Sequence, residues 1–230
     1  MSSTELIEFH NGVADNSYEF KNSWGGSARI WDSLFKAYIP KEQEYDNWIQ
    51  AAQDNRLWSV WKNNRLSNAE RLVYWFSCDN ALVAKENFTE MASALREFAT
   101  KHPCTDKVCH LENFAKVFNE SDADAIGLHG TSVVENPWFN WCEEQGESIP
   151  YDITKGNKHW FVFERLKKYN NDNLSEHQLS TLQKLEEDIF ECGVDGGMST
   201  SDAIDKLHEM EKEYGVYDPN AKTPRWVIDP

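Results

Sequence analysis

Apolar residues recur at three- and four-residue steps along most of this chain, and that spacing limits the available folds more than composition does. In SARIWDSLFKAYI (27–39), Ile30, Trp31, Leu34, Phe35 and Tyr38 share one helical face, with Ser27 as cap and Pro40 as stop. Shorter helical patterns follow around 44–53 and 55–62 and carry Trp48, Trp58 and Trp61. Ser67-Asn68-Ala69-Glu70 has the form of a capping box and precedes RLVYWFSCDNALVA, which continues the helical reading to residue 84. Asn87-Phe88-Thr89-Glu90 opens another helix, with Phe88, Met91, Leu95 and Phe98 on its inner face and Pro103 at its end. Residues 106–118 place Val108, Leu111, Phe114, Ala115 and Phe118 inward.

Strand patterns are fewer. ELIEF (5–9) and SYEF (17–20) alternate around the turn-forming NGVADN, which predicts a hairpin. AIGLHG (125–130) reads as a helix end, with Gly130 in a left-handed cap, followed by an Asn136-Pro137 turn and the aromatics Trp138, Phe139 and Trp141. Residues 143–158 read as loop, and WFVFERLKKY (160–169) as helix. After the polar run NNDNLS (170–175), residues 176–191 and 201–214 form two helical patterns separated by Gly193, Gly196 and Gly197, so a helical hairpin is expected. The expected fold is therefore mainly α: a single helical domain with a short N-terminal β-hairpin and a C-terminal helical hairpin. Its parts are an aromatic-rich region, 1–170, and an acidic hairpin with a Pro-punctuated tail, 174–230, packed on it.

Charge is the feature that speaks to function. The 39 acids and 23 bases give a formal net charge of -16. Residues 1–115 hold 16 acids and 12 bases, residues 116–230 hold 23 and 11, so most of the excess lies in the second half. From 117 to 154 come Glu120, Asp122, Asp124, Glu135, Glu143, Glu144, Glu147 and Asp152, with no lysine or arginine between them. A second acidic run includes Glu186, Glu187, Asp188 and Glu191. A like-charged pair about 7 Å apart costs roughly 0.6 to 1.2 kcal/mol before salt screening. A basic partner relieves that repulsion and is steered by it. The same balance argues against direct binding to nucleic acid or to an anionic membrane.

Linear motifs for catalysis and cofactors are weak. HGTSVVENPWFNW (129–141) offers His129 as base, Thr131 or Ser132 as nucleophile and Glu135 as orienter, but no Gly-x-Ser-x-Gly elbow. HPCTDKVCH (102–110) holds His102, Cys104, Cys109 and His110 without the two separated ligand pairs of a zinc site. Gly25-Gly26 ahead of a helix lacks both phosphate-loop patterns, and its expected role is to let Trp24 tuck under the helix. No metal or cofactor is expected. The five cysteines are odd in number, and MSSTELIEF lacks a basic start and an apolar run, so reduced thiols in a cytoplasmic protein are expected.

The expected function is a non-catalytic acidic protein that inhibits a basic, nucleic-acid-binding protein by mimicking nucleic acid. Counter-defence proteins such as anti-CRISPRs, and the immunity proteins of nuclease toxins, follow this logic; the likeness is one of charge, not of motif. The contact residues expected are Glu120, Asp122, Asp124, Glu135, Glu143, Glu144, Glu147, Glu186, Glu187, Asp188 and Glu191, with Trp138 and Trp141 as anchors. The alternatives are a hydrolase built on His129, Thr131 and Glu135, and an adaptor that docks a partner through its helical hairpin.

Overall fold

A computed structural model describes residues 3–39, 45–54, 56–58, 60–78, 80–103, 108–130, 136–143, 146–156, 159–170, 174–175, 177–178, 180–182, 184–185, 200–215 and 217. The chain divides into two compact units, 1–156 and 157–230. The expected linker at 170–175 falls inside the second.

Four strands of the first unit stand in the order β2-β1-β4-β3, all antiparallel to their neighbours. They are β1 (Ser3–His10), β2 (Val13–Lys21), β3 (Ala81–Ala84) and β4 (Ala125–Gly130). The predicted hairpin is β1–β2, closed by Asn11 and Gly12, both with positive φ, as a two-residue hairpin turn requires. A bulge interrupts the pair opposite Glu8 and Phe9.

Helices cover one face of this sheet. They are α1 (Ser27–Tyr38), α2 (Trp48–Gln53), α3 (Asn68–Phe76), α4 (Phe88–Lys101) and α5 (Leu111–Glu120). The Ser67–Glu70 capping box is formed in both directions. Ile30 and Leu34 of α1, Met91, Leu95 and Phe98 of α4, and Phe114, Ala115 and Phe118 of α5 are buried, as their spacing predicts. Helix α5 lies against the hairpin: Phe114 meets Phe20 of β2 edge-on at 5.0 Å, and Ser121 donates to Glu8 of β1.

Trp138 packs on β1 and β4 from the side of Phe9 and Gly127. Its ring meets Phe9 at 5.2 Å and Tyr151 at 5.8 Å, and its indole N–H donates to the Leu128 carbonyl at 3.2 Å. Gly127 of β4 makes this packing possible, because a β-carbon there would lie 2.8 Å from the indole. A second hairpin follows, with β5 (Phe139–Cys142) paired to β6 (Glu147–Pro150).

In the second unit a short strand, β7 (Trp160–Phe161), leads into α6 (Val162–Tyr169). Helical residues between 177 and 185 pack against α7 (Thr200–Glu213) through Leu182, Leu185 and Leu207, joined by Met210 and Tyr214. This is the pairing that the leucine spacing implies. Among the described residues no helix is long and apolar enough to cross a membrane.

The fold class differs from the expected one. Among the described residues 50% are helical and 22% lie in strands, so the protein mixes α and β and is not mainly α with one hairpin. Three misread segments account for this. Helix α3 stops at Phe76, Asn80 takes a positive φ of 60°, and the ALVA that continued the helical pattern becomes β3. AIGLHG is strand β4, not a helix end; Gly130 is its last residue and pairs with Thr4. Part of the 143–158 loop is β6. In the first two cases successive residues are buried whichever face they point to, so no alternation marks the strand.

Candidate functional site

Three of the expected carboxylates meet where α5 runs into β4. Glu120 is the last residue of α5, and Asp122 and Asp124 lie in the connection to β4; all three are exposed. The connection is fixed by its backbone: the Asp124 amide donates to Phe9 at 2.8 Å, the Lys85 amide to the Asp124 carbonyl at 2.9 Å, and the Lys85 ammonium to the Asp122 carbonyl. The Asp124 carboxylate accepts the amide of Asn11 in the hairpin turn at 2.6 Å.

The β1–β2 hairpin brings further acids to the same place. Glu8, only 3% exposed, accepts from Asn16 at 2.7 Å, from the Tyr18 hydroxyl at 3.4 Å and from Ser121. His10 lies between Glu8, at 4.0 Å, and Asp15, at 3.8 Å. Tyr18 is 38% exposed at the centre. Burial raises its hydroxyl above the ordinary 10, and the charges of Glu8, Asp122 and Glu120 raise it further. These carboxylates therefore share one field. Lys116 reaches Glu120 at 3.8 Å, but among the described residues no lysine or arginine makes an ion pair with Asp15, Asp122 or Asp124. Nearby, Glu5 of β1 stands opposite Glu19 of β2; burial first, and Glu19 second, push the Glu5 carboxyl up.

The remaining expected contacts are distributed differently. Glu143 and Glu147 are exposed on the β5–β6 hairpin, where Cys142 faces Glu147. Glu135, Glu144, Glu186, Glu187, Asp188 and Glu191 lie outside the described residues, as does the Trp141 side chain. Trp138 must be corrected: at 0% exposure it is core and offers a partner nothing to touch.

The exposed aromatics are elsewhere. Trp24 is 59% exposed and meets Trp48 at 6.2 Å; Trp48 meets Trp31 at 5.2 Å, and Trp31 meets the exposed Trp58 at 5.4 Å. Trp24, Ala28, Arg29, Asp32, Asn47, Trp48 and Ile49 line a cleft of about 380 Å³. Trp24 is thus not tucked under α1. Gly25 serves His110 instead, since a β-carbon there would lie 2.6 Å from the imidazole.

His129 lies on β4 opposite Glu5, 5% exposed, and burial lowers its pKa from 6.5. It does not line the cleft at Trp24. Its proposed companions Thr131, Ser132 and Glu135 lie outside the described residues. Of the possible zinc ligands, His102 bonds through Nε2 to Glu70 at 2.7 Å, and His110 through Nε2 to the carbonyls of Lys21 and Asn22 at 3.0 Å; Cys104 is outside the described residues. Among the described residues no three His, Cys, Asp or Glu are grouped to hold a metal ion.

The sequence concealed one polar centre. Glu70, the third residue of its capping box, is 0% exposed and accepts from Tyr38 at 2.6 Å, Lys101 at 2.6 Å, His102 at 2.7 Å and the Ser67 amide at 2.8 Å. Burial alone pushes its carboxyl up, but the hydrogen bonds outweigh burial and hold it at about 2. The side-chain donors come from α1, α4 and the residue that ends α4, so the cluster ties α1, α3 and α4 together. None of the protein-family models, curated proteins or solved structures compared with the chain matches it.

Proposed function

We propose that the protein is a non-catalytic inhibitor or immunity-type module that binds a basic, nucleic-acid-binding protein through its carboxylates and so occupies a groove meant for phosphates. The observation that carries this reading is the grouping of Glu8, Glu120 and Asp122 around the exposed ring of Tyr18, with Asp15 beside His10 and Asp124 at the hairpin turn, and with Lys116 as the one lysine or arginine paired to Asp15, Glu120, Asp122 or Asp124 among the described residues. Exposed carboxylates in one field accelerate encounter with a cationic surface, and an exposed aromatic in their midst supplies an anchor. Trp24 and Trp58 take over the anchoring role that Trp138 cannot fill.

The hydrolase reading has less support. His129 is buried, burial lowers its pKa, and it does not line the cleft at Trp24.

The test is capture on the immobilised protein at low salt, with mass identification of what elutes. The reading predicts basic nucleic-acid-binding proteins, released by salt and displaced by duplex DNA, and no capture by a variant carrying Asp15→Asn, Glu120→Gln, Asp122→Asn and Asp124→Asn. Capture that ignores both salt and DNA contradicts it.

A further inference from the structure

Strand β2 stands at the edge of its sheet, and its outer side is paired at one end only. There, Val13 bridges to Asp152 and the Ala14 amide donates to Tyr151 at 3.0 Å. Beyond them, Asp15–Glu19 are exposed, and among the described residues no strand pairs with the outer side of Ser17–Glu19; the edge ends at Lys21, whose carbonyl is bonded to His110 Nε2 at 3.0 Å. The direction of the backbone groups follows from the register. Phe9 turns its carbonyl toward β4, accepting the Asp124 amide, so Phe9, Ile7 and Glu5 bond to β4 while Glu8, Leu6 and Thr4 bond to β2. Their partners Asn16, Tyr18 and Phe20 are thereby used. Ser17 and Glu19 turn their N–H and C=O groups outward. Such an edge accepts another strand.

The charges say which strand. A second copy laid antiparallel on this edge brings Glu19, and with it Glu5 and Asp15, against its own kind, which opposes self-pairing. A strand bearing lysine or arginine meets Glu19 and Glu5 on one side and the Tyr18, Asp122 and Glu120 group on the other. We propose that β2 is the docking edge for an extended basic segment of the partner, which adds to the sheet as a strand beside Ser17–Glu19. This rests on the acidic-surface reading above and names the mode of recognition: backbone bonds fix register, and carboxylates select cationic side chains.

The probe is the acetylated peptide Val-Lys-Val-Arg-Val-Lys-Val, compared with a fully N-methylated copy that keeps every charge but donates no backbone hydrogen bond. Binding is measured by calorimetry at low salt, and exchange of the Ser17 and Glu19 amides by NMR. The expected result is binding of the first peptide, at least about ten-fold weaker binding of the second, and about ten-fold slower exchange of those two amides. Ser17→Pro removes an outward donor without removing a bond to β1, and is expected to weaken binding by a similar factor. Glu19→Lys, checked for folding by circular dichroism alongside it, does the same through charge. Equal binding of both peptides with unchanged exchange overturns strand addition and leaves the acidic-surface reading standing. Failure of both peptides to bind also overturns it, while DNA-displaceable capture of basic proteins decides the wider reading separately.

Discussion

Replacing Glu70 by Gln tests the polar cluster that joins α1, α3 and α4. The carboxylate is fully buried and receives four donors, and its pKa falls from the ordinary 4.5 to about 2. That difference corresponds to about 3 kcal/mol favouring the ionised form in the folded chain. Glutamine keeps the size but turns one acceptor atom into a donor facing Tyr38, Lys101 or His102. The unfolded chain takes up the proton near pH 4.5 and the folded chain near 2, so the stabilisation is complete above 4.5 and is lost as pH falls toward 2. Urea unfolding of wild type and Glu70→Gln is expected to differ by about 3 kcal/mol at pH 7, the gap closing by roughly 1 kcal/mol per pH unit below 4.5. A gap under about 1 kcal/mol at pH 7, or one constant down to pH 3, refutes the reasoning.

Three further outcomes are expected. Trp138→Ala removes the ring that covers Gly127 and Phe9 and is expected to cost about 3–5 kcal/mol in urea unfolding; a loss under 1 kcal/mol contradicts its assignment to the core. Because burial depresses His129, the unfolded chain binds its proton first, so this residue removes stability as pH falls below 6.5; an NMR titration is expected to find its pKa below 6.5, and a value at or above that contradicts the packing. Burial and then Glu8, Asp122 and Glu120 raise the Tyr18 hydroxyl, so Asp122→Asn with Glu120→Gln is expected to bring its absorbance titration down toward 10; no movement means the acids do not share its field.

Helices were legible in the sequence wherever one face stayed wet. Helices α1, α4 and α5 show this, with Ile30, Leu34, Met91, Leu95, Phe98, Phe114 and Phe118 buried at the expected steps. The outer hairpin was legible because Asn11–Gly12 is a turn signal and β2 is an exposed edge. The inner strands were not. Ile126, Gly127 and Leu128 are covered from both sides, so the period of two vanishes, and only the pairing with β1 reveals the strand. Glu8 was hidden likewise: alternation in ELIEF gives it no special standing, and its burial comes from Ser121, more than a hundred residues away. Glu70 was visible as a helix cap, but its Tyr38, Lys101 and His102 donors come from α1, α4 and the residue that ends α4. The acidity of 117–154 was legible; that Glu8 and Tyr18 join it depends on the fold.

The central claim is that carboxylates around Tyr18 meet a positively charged protein. Its most direct test is the affinity of the captured partner for wild type and for the variant carrying Asp15→Asn, Glu120→Gln, Asp122→Asn and Asp124→Asn, measured between about 50 and 300 mM salt. Wild-type binding is expected to weaken about ten-fold or more across that range, and the variant to bind more weakly with a flatter salt dependence. Equal affinity and equal salt dependence of the two proteins contradict the claim.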